Sequence, residues 1–167
     1  RVAPFIFFNQ GMLAIAQGDS ASGIADLRMA LAKVNQQRNR QVAARIESEI
    51  AHALRRAGQV QEAKSVYRSS IRRWVDLGRL PAIANQLESV AILARGEGRL
   101  EQAAMLFGAA ESLREETGAL MMSWEQAEYD REVAALRAGL PAGELATAWA
   151  TGRALSLDAA VDFAVEI

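Results

Sequence analysis

Gly18–Ala32 reads GDSASGIADLRMALA, Gly58–Arg72 reads GQVQEAKSVYRSSIR and Gly98–Ser112 reads GRLEQAAMLFGAAES. The three stretches align without a gap, their first glycines forty residues apart each time. Five residues after each glycine comes a small residue (Gly23, Ala63, Ala103) and nine after it a large apolar one (Leu27, Tyr67, Phe107). Twelve after it comes another small one (Ala30, Ser70, Ala110), and seven before it lies Gly11, Ala51 or Ala91. Glycine takes φ > 0 freely, so it ends a helix in a left-handed cap and turns the chain. The small residues let two antiparallel helices come close, and the large one fills the remaining space as a knob. The pattern predicts helix hairpins on a forty-residue period.

Composition agrees. The chain has 167 residues, 51% hydrophobic and 23% charged, which fits one globular domain and excludes a disordered tail. Good helix formers dominate, and the period-two alternation of strands is nearly absent, so the expected fold class is all-α. There is no cysteine and one histidine, which removes disulfides, a cysteine nucleophile and multi-histidine metal sites. No cofactor is expected. No apolar run of about 18 residues exists, so no membrane helix is expected. The opening RVAPFIFF has neither an initiator Met nor a small-residue cleavage site after it, and reads as the edge of a segment cut from a longer protein.

Helices are predicted near 3–17, 21–37, 41–57, 61–77, 81–96 and 100–117, making three hairpins over residues 1–118. Residues 119–167 lack the repeat signature and read as a divergent helical cap of the same domain, since a solenoid must cover its last apolar face. In it, Ser123 is expected to cap a helix from Trp124 to Gly139 with Gln126 as capping partner, a shorter helix to follow from Ala142, and Ser156 to open the last. Trp149, Leu155, Leu157, Val161 and Phe163 would supply the cap's apolar contacts.

The small–turn–small–large–small pattern resembles the tetratricopeptide repeat, without its usual first aromatic and closing proline and with a period six residues longer. That resemblance implies a right-handed helical solenoid with a concave groove. From Ala91 onward, the words LFGAAE and AW–x–x–GRALSL–x–x–A are similar to the C-terminal end of large bacterial signal-transduction ATPases and of LuxR-type or antibiotic-regulatory-protein-type transcriptional regulators. The resemblance implies a regulatory, protein-binding arm in the bacterial cytoplasm. No phosphate-binding G–x4–GK[ST] occurs, so this segment does not itself hold ATP by that device.

Chemistry is sparse. The carboxylates at Glu115/Glu116 and at Glu125, Glu128, Asp130 and Glu132 lie among arginines on predicted helix surfaces and read as solvated faces. The serines have no base in sequence context. The expectation is therefore no enzyme and no catalytic or metal residues. Charge is uneven: ten basic and four acidic residues lie between Arg38 and Arg79, against five and thirteen from Glu97 to the end. The basic stretch would steer an acidic peptide, or the acidic tail of another copy, while few aromatics interleave with it, which argues against direct nucleic-acid binding.

If first helices line a groove, its partner-binding residues are Arg45, Ser48, His52, Arg55 and Arg56 in the second repeat and Asn85, Glu88 and Arg95, with Ile92, in the third. The apolar first set, Phe5, Phe8, Met12 and Ile15, reads as surface that met a preceding repeat and that invites self-association. The expected function is binding of a partner protein, peptide or effector; the alternative is a purely structural oligomerisation scaffold without a ligand groove.

Overall fold

A computed structural model describes residues 3–167. Among them the chain is helical throughout, without strands: α1 (Pro4–Ala16), α2 (Ser20–Gln36), α3 (Arg40–Arg56), α4 (Val60–Asp76), α5 (Leu80–Gly96), α6 (Leu100–Thr117), α7 (Ser123–Gly139), α8 (Ala142–Arg153) and α9 (Leu157–Glu166). No helix among the described residues is long and apolar enough to cross a membrane.

The corners recur twice as often as the glycine repeat. Left-handed backbone occurs at Gly18, Arg38, Gly58, Gly78, Gly98 and Gly118, one every twenty residues. Three of these corners close with the same six-to-one backbone bond, Asp19 to Ala14, Gln59 to Leu54 and Arg99 to Ala94, each 2.9 Å. At Arg38, the one non-glycine corner among the described residues, the equivalent bond from Asn39 to Val34 lengthens to 3.4 Å. Asp19 and Asn39 then cap the next helices, accepting from the amides of Ser22 and Val42.

Consecutive helices α1/α2, α3/α4 and α5/α6 pack as three alike hairpins. The residues singled out by the repeat meet at the crossings. Gly11 and Gly23 abut so closely that a Cβ on either would lie within 2.8 Å of the other's carbonyl oxygen. Ala51, Ala63, Ala91 and Ala103 are fully buried at the equivalent positions, as are the knobs Leu27, Tyr67 and Phe107. Each knob's burial contributes roughly 1.5–3 kcal/mol before entropy is counted.

The chain divides into two compact units, residues 1–77 and 78–167. The division falls between the second and third hairpins, and the tail is built onto the third hairpin. Helix α8 lies against α6 through two glycines: a Cβ on Gly152 would meet the Met105 carbonyl oxygen at 1.8 Å, and one on Gly108 the Trp149 carbonyl oxygen at 2.2 Å. The tail's fully buried positions include the small Gly152, Ala160 and Ala164, whereas Trp149, Leu155, Leu157, Val161 and Phe163 are only half-buried. One detail differs from expectation. Ser123 is the first residue of α7, not its cap, and the Glu125 carboxylate, not Gln126, accepts the Met122 amide at 2.8 Å. The acidic side chain complements the helix N-terminus better than an amide would.

The units also differ in charge. Residues 1–77 carry twelve basic and six acidic side chains, and residues 78–167 carry seven and fourteen.

Candidate functional site

Three of the expected groove residues, Ser48, His52 and Glu88, are buried. Ser48 and His52 point between α3 and α4 and are buried. Ser48 Oγ bonds the Ala44 carbonyl (2.9 Å), lies 3.1 Å from Ser70 Oγ and accepts from the Trp74 indole (2.8 Å). His52 Nδ1 sits 2.8 Å from the Tyr67 hydroxyl, which also accepts from Arg55 Nε at 3.3 Å. Glu88 is buried and gripped through both oxygens by Arg114, at 2.5 and 2.8 Å. Asn85 and Arg95 are half-buried and reach α7, where they donate to Glu125 and Glu132. Thus Ser48, His52 and Glu88 belong to hairpin interiors, because each is needed to satisfy a polar neighbour there. Arg45 and Arg56 stay exposed, Arg45 over the Phe8 ring at 5.5 Å.

These interior contacts follow a rule the glycine repeat does not show. Positions 8/34, 48/74 and 88/114 are equivalent at the forty-residue period. Phe8 and Val34 line one small apolar hollow, Ser48 and Trp74 share a hydrogen bond, and Glu88 and Arg114 form an ion pair. One residue earlier, Phe7 lies under the Lys33 ammonium, Glu47 pairs with Arg73 at 2.8 Å, and Leu87 and Leu113 are both buried. Residue type changes at every copy, while complementarity across the hairpin is kept. In the third copy, burial outweighs the two guanidinium hydrogen bonds and holds the Glu88 carboxyl above the usual range. Those same bonds raise Arg114.

A cleft suited to a ligand lies in the second unit. Unlike the first three pairs, α7 and α8 touch each other at few points and diverge around a cleft of about 820 Å³, to which α6 contributes Glu111. Tyr129 and Val133 of α7 face Leu145, Ala146, Trp149 and Ala150 of α8 across it. Below them the Phe107 knob meets the Tyr129 ring edge-on at 5.4 Å and stacks under Trp149 at 6.0 Å. Glu111 anchors the far wall, accepting from the Trp149 indole (2.5 Å) and from Arg153 (2.9 Å). Arg153 also holds Glu115 at 2.6 Å, which lowers the Glu115 carboxyl and raises the guanidinium. Partial burial, reinforced by the Glu111 charge, pushes the Tyr129 phenol up to about 12, so at neutral pH it is a hydroxyl able to donate.

The acidic clusters read as solvated faces are in part structural. Glu125 accepts from Met122 and Asn85, Glu132 pairs with Arg95, Glu115 with Arg153, and Asp130 accepts from Gln126 at 2.9 Å. Among the described residues, no group of three or more His, Asp or Glu side chains is arranged to hold a metal ion. The cleft residues Tyr129, Val133, Leu145 and Ala146 were missed by sequence reasoning. The available signal was the two-residue joint Leu140–Pro141 between helices that lack the small-residue crossing positions. No protein-family model, curated protein or solved structure matches the chain.

Proposed function

We propose that the chain is a non-enzymatic, tetratricopeptide-like interaction arm of a larger bacterial transcriptional regulator or signalling ATPase of the cytoplasm, and that it grips a helical segment of a partner protein. The observation that carries this reading is the open α6–α7–α8 cleft: apolar side chains of α7 and α8, the Tyr129 and Trp149 rings and four charged groups are the composition of a recognition groove. The third hairpin, within the same unit, supplies the base on which α8 is held. The resemblance of LFGAAE and GRALSL to regulator tails supports the kind of parent, and Gly108 and Gly152, which fix α8 on α6, lie within those words. Arg45 and Arg56 are exposed members of the expected basic face on the first unit. Regulation requires that the partner bind two states of the parent with different affinity.

The test is selection of displayed helical peptides on the immobilised chain, counter-selected on Leu145→Arg. The expected result is peptides with apolar anchors at i, i+3/i+4 and i+7 that bind the parent and lose at least tenfold on the variant. Peptides that bind both equally would overturn the groove and favour a scaffold without one.

A further inference from the structure

The face that α8 turns to the cleft is a helix-packing stripe. Ala142, Leu145, Ala146, Trp149 and Ala150 line it at i, i+3, i+4, i+7 and i+8, the spacing on which one helix seats another. The three alanines are exposed, and Leu145 and Trp149 are half-buried, so the stripe is apolar along its length and largely uncovered. From the other wall, α7 contributes Asp130, Val133 and Arg137. At i, i+3 and i+7 they share one side of the helix, with the two charges about 10 Å apart along its axis and the valine between them.

The charges of the lining sum to zero, but they are sorted. Arg137 lies near the Leu140–Pro141 joint and has no hydrogen bond or ion pair among the described residues. Asp130 lies two turns further from the joint and accepts from the neutral Gln126 amide, which leaves its charge uncompensated. The remaining two, Glu111 and Arg153, are paired with each other, and Glu115 shares the same guanidinium. The cleft therefore offers an apolar middle between one uncompensated anion and one uncompensated cation.

We infer that the partner helix is read by this charge pair. A lysine or arginine of the partner meets Asp130, an aspartate or glutamate about two turns away meets Arg137, and apolar residues between them pack on Val133, Leu145 and Trp149. A helix with like charges at both places is refused, because one of them always faces its own sign. This inference rests on the cleft being a helix-binding groove and adds which helices it accepts.

The test sequences the helical peptides selected on the parent chain and titrates a tight binder, by fluorescence anisotropy, against charge-exchanged variants. The selected peptides are expected to share one basic and one acidic residue about two turns apart, bracketing the apolar anchors. Arg137→Glu and Asp130→Lys should each weaken binding about tenfold, and the milder Arg137→Gln and Asp130→Asn less. A peptide whose acidic residue is changed to lysine should regain most of the loss on Arg137→Glu. A peptide with both charges exchanged should bind Asp130→Lys/Arg137→Glu and fail on the parent. Both positions are exposed, so circular dichroism of every variant should match the parent. Selected peptides without the paired charges overturn the inference. So do equal affinities for the parent and the single variants, or an exchanged peptide that fails on the folded double variant. In those cases loss of binding on Leu145→Arg keeps the groove and removes only its charge reading. A parent that selects no helical peptide, or binding that survives Leu145→Arg, overturns both.

Discussion

At the pair of positions that closes the second hairpin, the Trp74 indole donates to the Ser48 hydroxyl at 2.8 Å. Forty residues on, the Arg114 guanidinium grips the Glu88 carboxylate at 2.5 and 2.8 Å. The helices around the two pairs are alike, so the difference isolates the chemistry of the contact. Burying the neutral pair costs little, and Ser48 keeps Ala44 and Ser70 as partners if the indole is lost. Burying the ion pair removes two full charges from water, and each then depends on the other. The second hairpin therefore tolerates loss of its pair, whereas the third is exposed to any change that leaves one charge alone.

The largest test of this contrast is Arg114→Met, which strands the Glu88 carboxylate. It should lower stability in urea denaturation by about 3–5 kcal/mol. Transplanting the second hairpin's solution, Glu88→Ser with Arg114→Trp, should recover more than half of that loss; no recovery in a double-mutant cycle would break the equivalence of the two sites. Trp74→Phe in the second hairpin should cost only about 1 kcal/mol, the worth of one neutral hydrogen bond. A smaller effect of opposite sign is expected at the corner before that hairpin. Arg38 holds φ +58°, so Arg38→Gly should stabilise by about 0.5 kcal/mol, relief of the left-handed backbone being partly offset by glycine's freedom when unfolded.

The pH response should be the subtlest reading. Glu88 is raised by burial above its ordinary 4.5. A carboxyl raised on folding contributes its full stabilisation below the unfolded value and loses it as pH climbs through the folded one. The stability of the parent relative to Glu88→Gln should therefore fall as pH rises above 4.5. A difference that stays flat or grows would mean that Arg114 more than offsets burial.

The hairpins were legible because glycine corners, small crossings and large knobs are each met by a narrow set of residues. Gly18, Gly58 and Gly98, with Leu27, Tyr67 and Phe107, repeat closely enough to be seen by type. The corner at Arg38 was hidden because its backbone is left-handed without a glycine to mark it. The pairs 7/33 and 8/34 and their copies were hidden for a deeper reason. What recurs there is a relation between two positions twenty-six residues apart, not a residue type, so Ser48 and Glu88 looked like spare polar groups. The cleft was hidden because it arises from how two helices diverge. Gly108 and Gly152 draw α8 onto α6, and the short Leu140–Pro141 joint does not let α7 follow.

The two kinds of corner differ in what they separate. Cutting the chain at Gly18, Gly58 or Gly98 would part Phe7 from Lys33, Ser48 from Trp74, or Glu88 from Arg114. Cutting at Arg38, Gly78 or Gly118 parts none of these couples. A gene growing by copying could insert or delete a whole pair of helices at the second kind of junction and leave every remaining couple intact, while loss of α2 and α3 between Gly18 and Gly58 would marry Phe8 to Trp74. The lineage of such a protein should be written in steps of forty residues with their seams at those junctions, and each newborn copy is then free to exchange one matched couple for another.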